Sequence, residues 1–211
     1  MSNPSFQERW EYLWESITSF FLSIEEFIGQ YEKWPAVILI LFLFCSKAFV
    51  PIVPFSVIFM GSGLVFPAPI AILINSIGFA LLVLINFKIG RRFGGGRAAK
   101  MLGKFDWLMS FMDLKGKGNS LMLFVLRFIP FIPHSAVSKL YGTTAMATVK
   151  FVVISVVGFL PRLISWSLIG CNFTNPLTSQ FFLPFIALAF VSGISSMIID
   201  TYLKIKDGKD K

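Results

Sequence analysis

Four cations stand in otherwise apolar stretches of this chain: Lys47, Arg127, Lys139 and Arg162. An ionisable side chain at membrane depth costs about 2.5–3.5 kcal/mol on insertion scales, so each is a functional candidate by default. No carboxylate nearby in sequence can neutralise them, because between residues 33 and 199 the only acids are Asp106 and Asp113. A phosphate from outside the chain fits instead, since a guanidinium meets it with two parallel, charge-assisted hydrogen bonds. An anionic lipid headgroup would offset the cost of burial. Arg127, at the entrance of a proline-broken segment, and Arg162, directly after Pro161 and an expected break in its span, lead the candidates. The plainer alternative is that both bond carbonyls freed by neighbouring prolines. Lys47 and Lys139 follow, because a lysine can snorkel its ammonium to the interface.

Two of these cations open matching motifs. The first reads Lys47-AFV-Pro51-IV-Pro54-F-Ser56 and the second Arg127-FI-Pro130-FI-Pro133-His134-Ser135. Each proline removes a backbone donor and leaves a carbonyl unpaired. Pro51, Pro54, Pro130 and Pro133 therefore mark open backbone that a ligand can use. His134, the single histidine, is a candidate proton gate because imidazole titrates in the physiological range; a lone histidine more often serves as a structural hydrogen bonder. Asn75 and Asn86 fall in an apolar span, where they bridge helices or line a polar path.

Other chemistry is poorly supported. There is no His/Glu metal motif, no paired acids and no nucleophile beside an evident base, so no enzyme, metal or cofactor is expected. Gly94-Gly95-Gly96-Arg97 lacks the Lys-Ser/Thr of a phosphate-cradling loop and reads as a turn after a span. Cys45 and Cys171 match no metal or redox spacing and read as packing residues. Asn172-F-Thr174 fits a glycosylation pattern but falls at a membrane edge.

The elements that must hold these residues are helices in a membrane. Of 211 residues, 55% are hydrophobic, 14% charged and 25 are Phe, with mean hydropathy +0.76; soluble domains carry about 25% charged residues. Residues 68–90, 151–170 and 181–203 each reach the roughly 20 apolar residues a span needs. Residues 36–67 and 119–147 are apolar but broken. Residues 1–34 hold six acids and two bases among apolar residues spaced by three and four, which predicts an amphipathic interfacial helix. No signal peptide is evident at the start of the sequence. The basic linker 91–118 and the basic tail 204–211 predict cytoplasmic placement, and the uncharged loop 171–180 the opposite side. The C-terminus is then cytoplasmic, and the span 68–90 enters the cytoplasm where 151–170 leaves it.

The chain also repeats itself. Gly78-Phe79 precedes Ile89-Gly90 as Gly158-Phe159 precedes Ile169-Gly170, and each motif above leads to a glycine, Gly61 or Gly142. With the topology above the copies are inverted, an architecture found in transporters, whose sites sit at the repeat interface on broken helices. Exposed backbone at that depth survives only inside protein or against a wet cavity. The expectation is an all-α polytopic membrane protein spanning residues 35–203, with repeat one at 36–90, repeat two at 119–170 and a final span at 181–203. Within the repeats, 36–67 and 119–147 are two re-entrant hairpins entering from opposite faces, their tips meeting near the middle.

The order of Pro51–Pro54, Gly61-S-Gly63, Gly90-RRF-Gly94, Arg127-FI-Pro130 and Gly158-FL-Pro161-Arg162 resembles the DedA family, the group with the SNARE-associated or VTT domain. The likeness covers about residues 45 to 171. It implies lipid movement: a flippase or scramblase for phospholipid or undecaprenyl phosphate, in some members coupled to protons. Where many bacterial members carry an acid after the first Pro-x-x-Pro, this chain has Phe55 and Ser56, and where many carry a second arginine it has Pro133. Those departures weigh against proton coupling through a membrane carboxylate. Expected partners are membrane lipids with anionic phosphate headgroups, in a bacterial plasma membrane, with self-association left open and no nucleic acid. The competing readings are a secondary transporter of a small ion or solute and an assembly factor that transports nothing.

Overall fold

The computed structural model describes residues 33–50, 54–94, 118–129, 132–174 and 181–190, with positions 15, 19, 96, 178–179, 192–193 and 197 besides. Most of the amphipathic helix expected over 1–34, most of the linker 91–118, the prolines Pro51 and Pro130 and the tail 204–211 lie outside the described residues.

Six helices fall into two trios: α1 Trp34–Lys47, α2 Phe55–Val65 and α3 Ala68–Phe93, then α4 Ser120–Phe128, α5 His134–Gly142 and α6 Thr148–Cys171. A seventh, α7 Phe181–Phe190, follows. Among the described residues there is no strand. Proline starts helices where it costs nothing, at a position whose N–H lacks an acceptor anyway, as in the first turns of α1 and α3. Asn119 caps α4 by accepting from the Met122 amide at 3.1 Å, which satisfies one orphan donor. The cap residue of α3 is Gly94, with φ +75°, a left-handed geometry that suits glycine.

Only α3, with 26 residues, and α6, with 24, are long and apolar enough to cross a membrane among the described residues. At 1.5 Å per residue they reach about 39 and 36 Å, against a hydrocarbon core of about 30 Å. The expected spans 68–90 and 151–170 therefore form, each a few residues longer than read. The segments 36–67 and 119–147 are broken as expected, each into two short helices, of 14 and 11 residues and of 9 and 9. None of these four exceeds about 21 Å, too short to span alone. The outward faces are apolar as well as the core: Ile38, Phe42, Leu73, Ile77, Val149 and Val153 are exposed, while Phe44, Phe59, Phe79, Phe87, Phe151 and Phe159 are wholly buried. Helices apolar all round belong in lipid.

Helices α3 and α6 run antiparallel. Phe87 stacks on Phe151 at 4.3 Å, Phe79 on Phe159 at 4.2 Å with 13° between planes, and Asn75 Nδ2 donates to Ser167 Oγ at 2.9 Å. On this pair, α5 packs on α3 as α2 packs on α6, and α1 packs on α3 as α4 packs on α6. The equivalence reaches single residues. Gly78 faces the ring of Phe44, and Gly158 lies against Phe124. Gly90 and Gly142 let the backbones of α3 and α5 touch at Lys139 and Phe87, and Gly170 and Gly63 do the same for α6 and α2 at Met60 and Ser167. The counterpart of Gly142 is thus Gly63; a Cβ on Gly61 would meet nothing within 4 Å. The correspondence is incomplete, since α2 also packs on α3 and the matching α5–α6 contact is weaker. The break expected at Pro161 is absent: α6 continues through it. A helix sandwiched between α2, α3 and α4 has no water to satisfy a broken ladder, so one missing N–H is tolerated.

Candidate functional site

The two short helices that follow the prolines start almost tip to tip. Pro54 and Pro133, both exposed, hold extended backbone before α2 and α5, and neither helix has a side-chain cap. The first N–H groups of a helix have no intrahelical acceptor and carry the positive end of its dipole. Phe55 and His134, the first residues of α2 and α5, meet edge to face at 5.8 Å. Both rings rest on the Phe79–Phe159 stack, Phe55 at 6.0 and 5.9 Å and His134 at 6.4 and 4.8 Å. Phe79 and Phe159 are each the twelfth residue of their helices, so this junction lies about halfway along both long helices.

Three of the four candidate cations converge here. Lys47 Nζ, on the last turn of α1, sits 4.4 Å over the Phe55 ring. Arg127, on the last turn of α4, is wholly buried. Its Nη1 donates to the His134 carbonyl at 3.2 Å, and its Nη2 to Ser138 Oγ at 3.0 Å and Ser155 Oγ at 2.8 Å; Nε has no partner. Arg162 is half-buried, with two long contacts: Nη2 to the Phe128 carbonyl at 3.4 Å and Nη1 to His134 Nε2 at 3.5 Å. For His134 to accept there, the ring must be neutral with its proton on Nδ1, and Nδ1 is buried without a partner. Lys139 is elsewhere. It lies in the last turn of α5 with its backbone against Gly90, about 7.5 Å along the axis from His134.

The division of labour follows from these contacts. Arg127 spends its Nη groups on three neutral oxygens from α5 and α6, which fixes the second elbow against α6. Arg162 bridges the carbonyl before the elbow and the imidazole after it, through contacts weak enough to exchange for a better acceptor. With no carboxylate among the described residues of the junction, three cations and two helix N-termini leave a positive centre that an anion would neutralise. Ser138, Ser155 and the meeting of Phe55 with His134 were not singled out from sequence. The four-residue spacing of His134 and Ser138, which lets Ser138 Oγ donate to the His134 carbonyl at 2.8 Å, was the signal available for one of them.

Two further polar groups brace the helices. Asn75 Nδ2 donates to Ser62 Oγ, to Ser167 Oγ at 2.9 Å and to the Phe59 carbonyl at 3.4 Å, tying α2, α3 and α6 together. Asn86 bonds only its own helix, at the Leu82 carbonyl. At the end of α3, Arg91 Nη2 donates to the carbonyls of Thr144 at 3.2 Å and Met146 at 2.8 Å. Its counterpart at the end of α6 is Cys171, whose Sγ lies 3.6 Å from the Phe66 carbonyl.

The VTT domain model matches residues 48–172 of the chain, from the turn after Lys47 to the end of α6. A protein of Bacillus subtilis (strain 168), YqeD, described as uncharacterized, is 26% identical over 140 residues, covering 66% of this chain and 67% of its own. No solved structure matches.

Proposed function

The chain belongs to the VTT-domain family, also called DedA, and from that premise we propose that this helical membrane protein carries a phosphate-bearing lipid between leaflets. The lipid is a phospholipid or a polyprenyl phosphate such as undecaprenyl phosphate, and its headgroup crosses at the junction of the two elbows while its tails stay in the bilayer. On this reading the two trios are an inverted repeat. The α1–α2 and α4–α5 segments are re-entrant hairpins from the outer and cytoplasmic faces, α7 begins a third span, and the C-terminus is cytoplasmic in a bacterial plasma membrane.

One observation carries the proposal: Lys47, Arg127 and Arg162 meet two uncapped helix N-termini halfway along both spans. Such a centre is costly in apolar surroundings and is relieved by a mobile anion. Exposed Pro54 and Pro133 at its rim favour a lipid, whose tails need an open flank, over a small solute, which needs a closed cavity. On this reading the drive is a gradient or the lipid imbalance itself, in keeping with a Gly94–Arg97 segment that lacks the Lys-Ser/Thr of a phosphate-cradling loop.

The test is leaflet exchange in liposomes reconstituted with the full chain, using fluorescent phosphatidylglycerol and a labelled polyprenyl phosphate in parallel. Wild type should exchange at least one faster than empty liposomes, and Arg162→Ala should lose most of that rate while keeping its melting temperature. Exchange of both lipids at the protein-free rate overturns the proposal. Unchanged exchange in Arg162→Ala overturns the role given to that residue.

A further inference from the structure

The two halves of the junction match in position and differ in chemistry. Gly142 follows Gly63 by 79 residues on the short helices, and Phe159 follows Phe79 by 80 on the long ones. In that register His134 answers to Phe55, Ser138 to Phe59 and Arg162 to Leu82. These three polar groups of the second half answer to apolar residues in the first, whereas Ser135 answers to Ser56 and Ser155 to Asn75. Phe59 and Leu82 are buried in the core, whereas Ser138 takes a hydrogen bond from Arg127 and Arg162 reaches His134.

The rims agree at one position, where Ser56 and Ser135 are both half-buried, and differ around it. On the first half, Val57, on the first turn after Pro54, is 46% exposed. On the second, half-buried Arg162 reaches His134, the residue after Pro133. The first half's one cation here is Lys47, whose ammonium lies over the Phe55 ring at the boundary between the halves, and its Asn75 is already bonded to Ser62 and Ser167. Both elbows offer a phosphate the first amides of an uncapped helix, but only the second adds a guanidinium fork with exchangeable contacts, whereas an acyl or prenyl chain loses nothing against Phe55 and Val57.

We propose that the two elbows divide the lipid between them: the α4–α5 elbow grips the phosphate headgroup, and the α1–α2 elbow carries the apolar segment joined to it. This rests on the reading of the chain as a lipid carrier and adds to it a fixed orientation of the lipid within the site. Arg162 supplies the fork for the phosphate, Arg127 holds α5 in place behind it, and Lys47 covers the headgroup from the other side. Phe55, Pro54 and Val57 form the surface for the chain. The pseudo-symmetric frame is thereby used asymmetrically, so that the headgroup keeps one set of partners through the crossing instead of changing from one elbow to the other.

The experiment uses the wild-type chain in liposomes with two phosphatidylglycerol analogues, one bearing a diazirine on the headgroup and one at the glycerol-proximal end of an acyl chain. After illumination, labelled positions are read by mass spectrometry. The headgroup probe should mark residues 132–142 in excess of residues 54–65 by about tenfold, the preference one bidentate phosphate contact can give, and the acyl probe should mark 54–65 in excess of 132–142. Equal headgroup labelling of both elbows, or an excess on the first, overturns the division and leaves lipid movement standing. No labelling of either elbow by either probe overturns both. A swapped variant, Phe55→His with Leu82→Arg and His134→Phe with Arg162→Leu, should move the headgroup label to the first elbow; a label that stays on the second overturns the assignment.

Discussion

Two alanine substitutions two residues apart on α2 should have opposite effects. A Cβ on Gly63 would lie 2.3 Å from the Ser167 carbonyl oxygen and 2.9 Å from the Cys171 amide nitrogen, whereas a Cβ on Gly61 meets nothing within 4 Å. Ordinary contact begins near 3.4 Å, so α2 and α6 must separate by roughly an ångström, and backbone cannot yield as a side-chain tip can. Overpacking of this kind costs about 1–3 kcal/mol. Replacing a helical glycine by alanine returns up to about 1 kcal/mol, all of which Gly61→Ala keeps. The two variants should then differ by about 2 kcal/mol, or about 4–8 °C in melting temperature for a chain of this size, with Gly63→Ala the less stable. Thermal unfolding in detergent, followed by tryptophan fluorescence, reads the difference. Gly170→Ala, whose Cβ would meet the Met60 carbonyl at 2.2 Å, should reproduce the loss from the other side of the same crossing. Equal melting of the Gly61 and Gly63 variants would refute the close crossing of α2 and α6.

Three other outcomes follow from the same geometry. Phe79→Ala removes a wholly buried ring stacked on Phe159 and should cost about 3–5 kcal/mol, read as a loss of monodisperse protein on heating. Arg91→Ala removes hydrogen bonds to Thr144, Met146 and Thr148, so amide exchange at residues 144–148 should quicken while residues 62–66, at the other crossing, keep their rate. Asn75→Ala unties α2, α3 and α6 and should cost about 0.6–1.7 kcal/mol, the measured scale of interhelical bonds in membranes, whereas Asn86→Ala, which breaks a bond only to its own helix, should cost less in the same melting assay.

Most of the frame was legible in the sequence because it rests on local signals. Proline pairs break helices wherever they stand, and unbroken apolar runs give α3 and α6. The repeated Gly-Phe pairs turned out to be the stacked rings and the close approaches at the centre. What escaped depended on register between distant segments. Gly61 and Gly63 are equivalent in sequence, and only the face turned to α6 separates them. Pro161 looked like the other breaks, yet a single proline without a second one three residues away left α6 intact under the packing of its neighbours. Arg127 and Arg162 read alike as buried cations; their difference lies in Ser138 and Ser155, two hydroxyls that arrive from other helices to occupy one guanidinium and leave the other with long contacts. The partnership of Phe55 and His134 was hidden because the two share no chemistry, although they occupy matching places in the motifs.

Depth in the bilayer tests the central claim most directly. In a chain with Cys45 and Cys171 replaced by Ala, a fluorophore attached through Pro54→Cys or Pro133→Cys is quenched by lipids brominated at successive acyl positions. The account predicts strongest quenching of both sites by bromines near the chain ends, at the middle of the membrane, since both elbows dip to the midpoint of α3 and α6. Strongest quenching of either site by bromines next to the headgroups would contradict it.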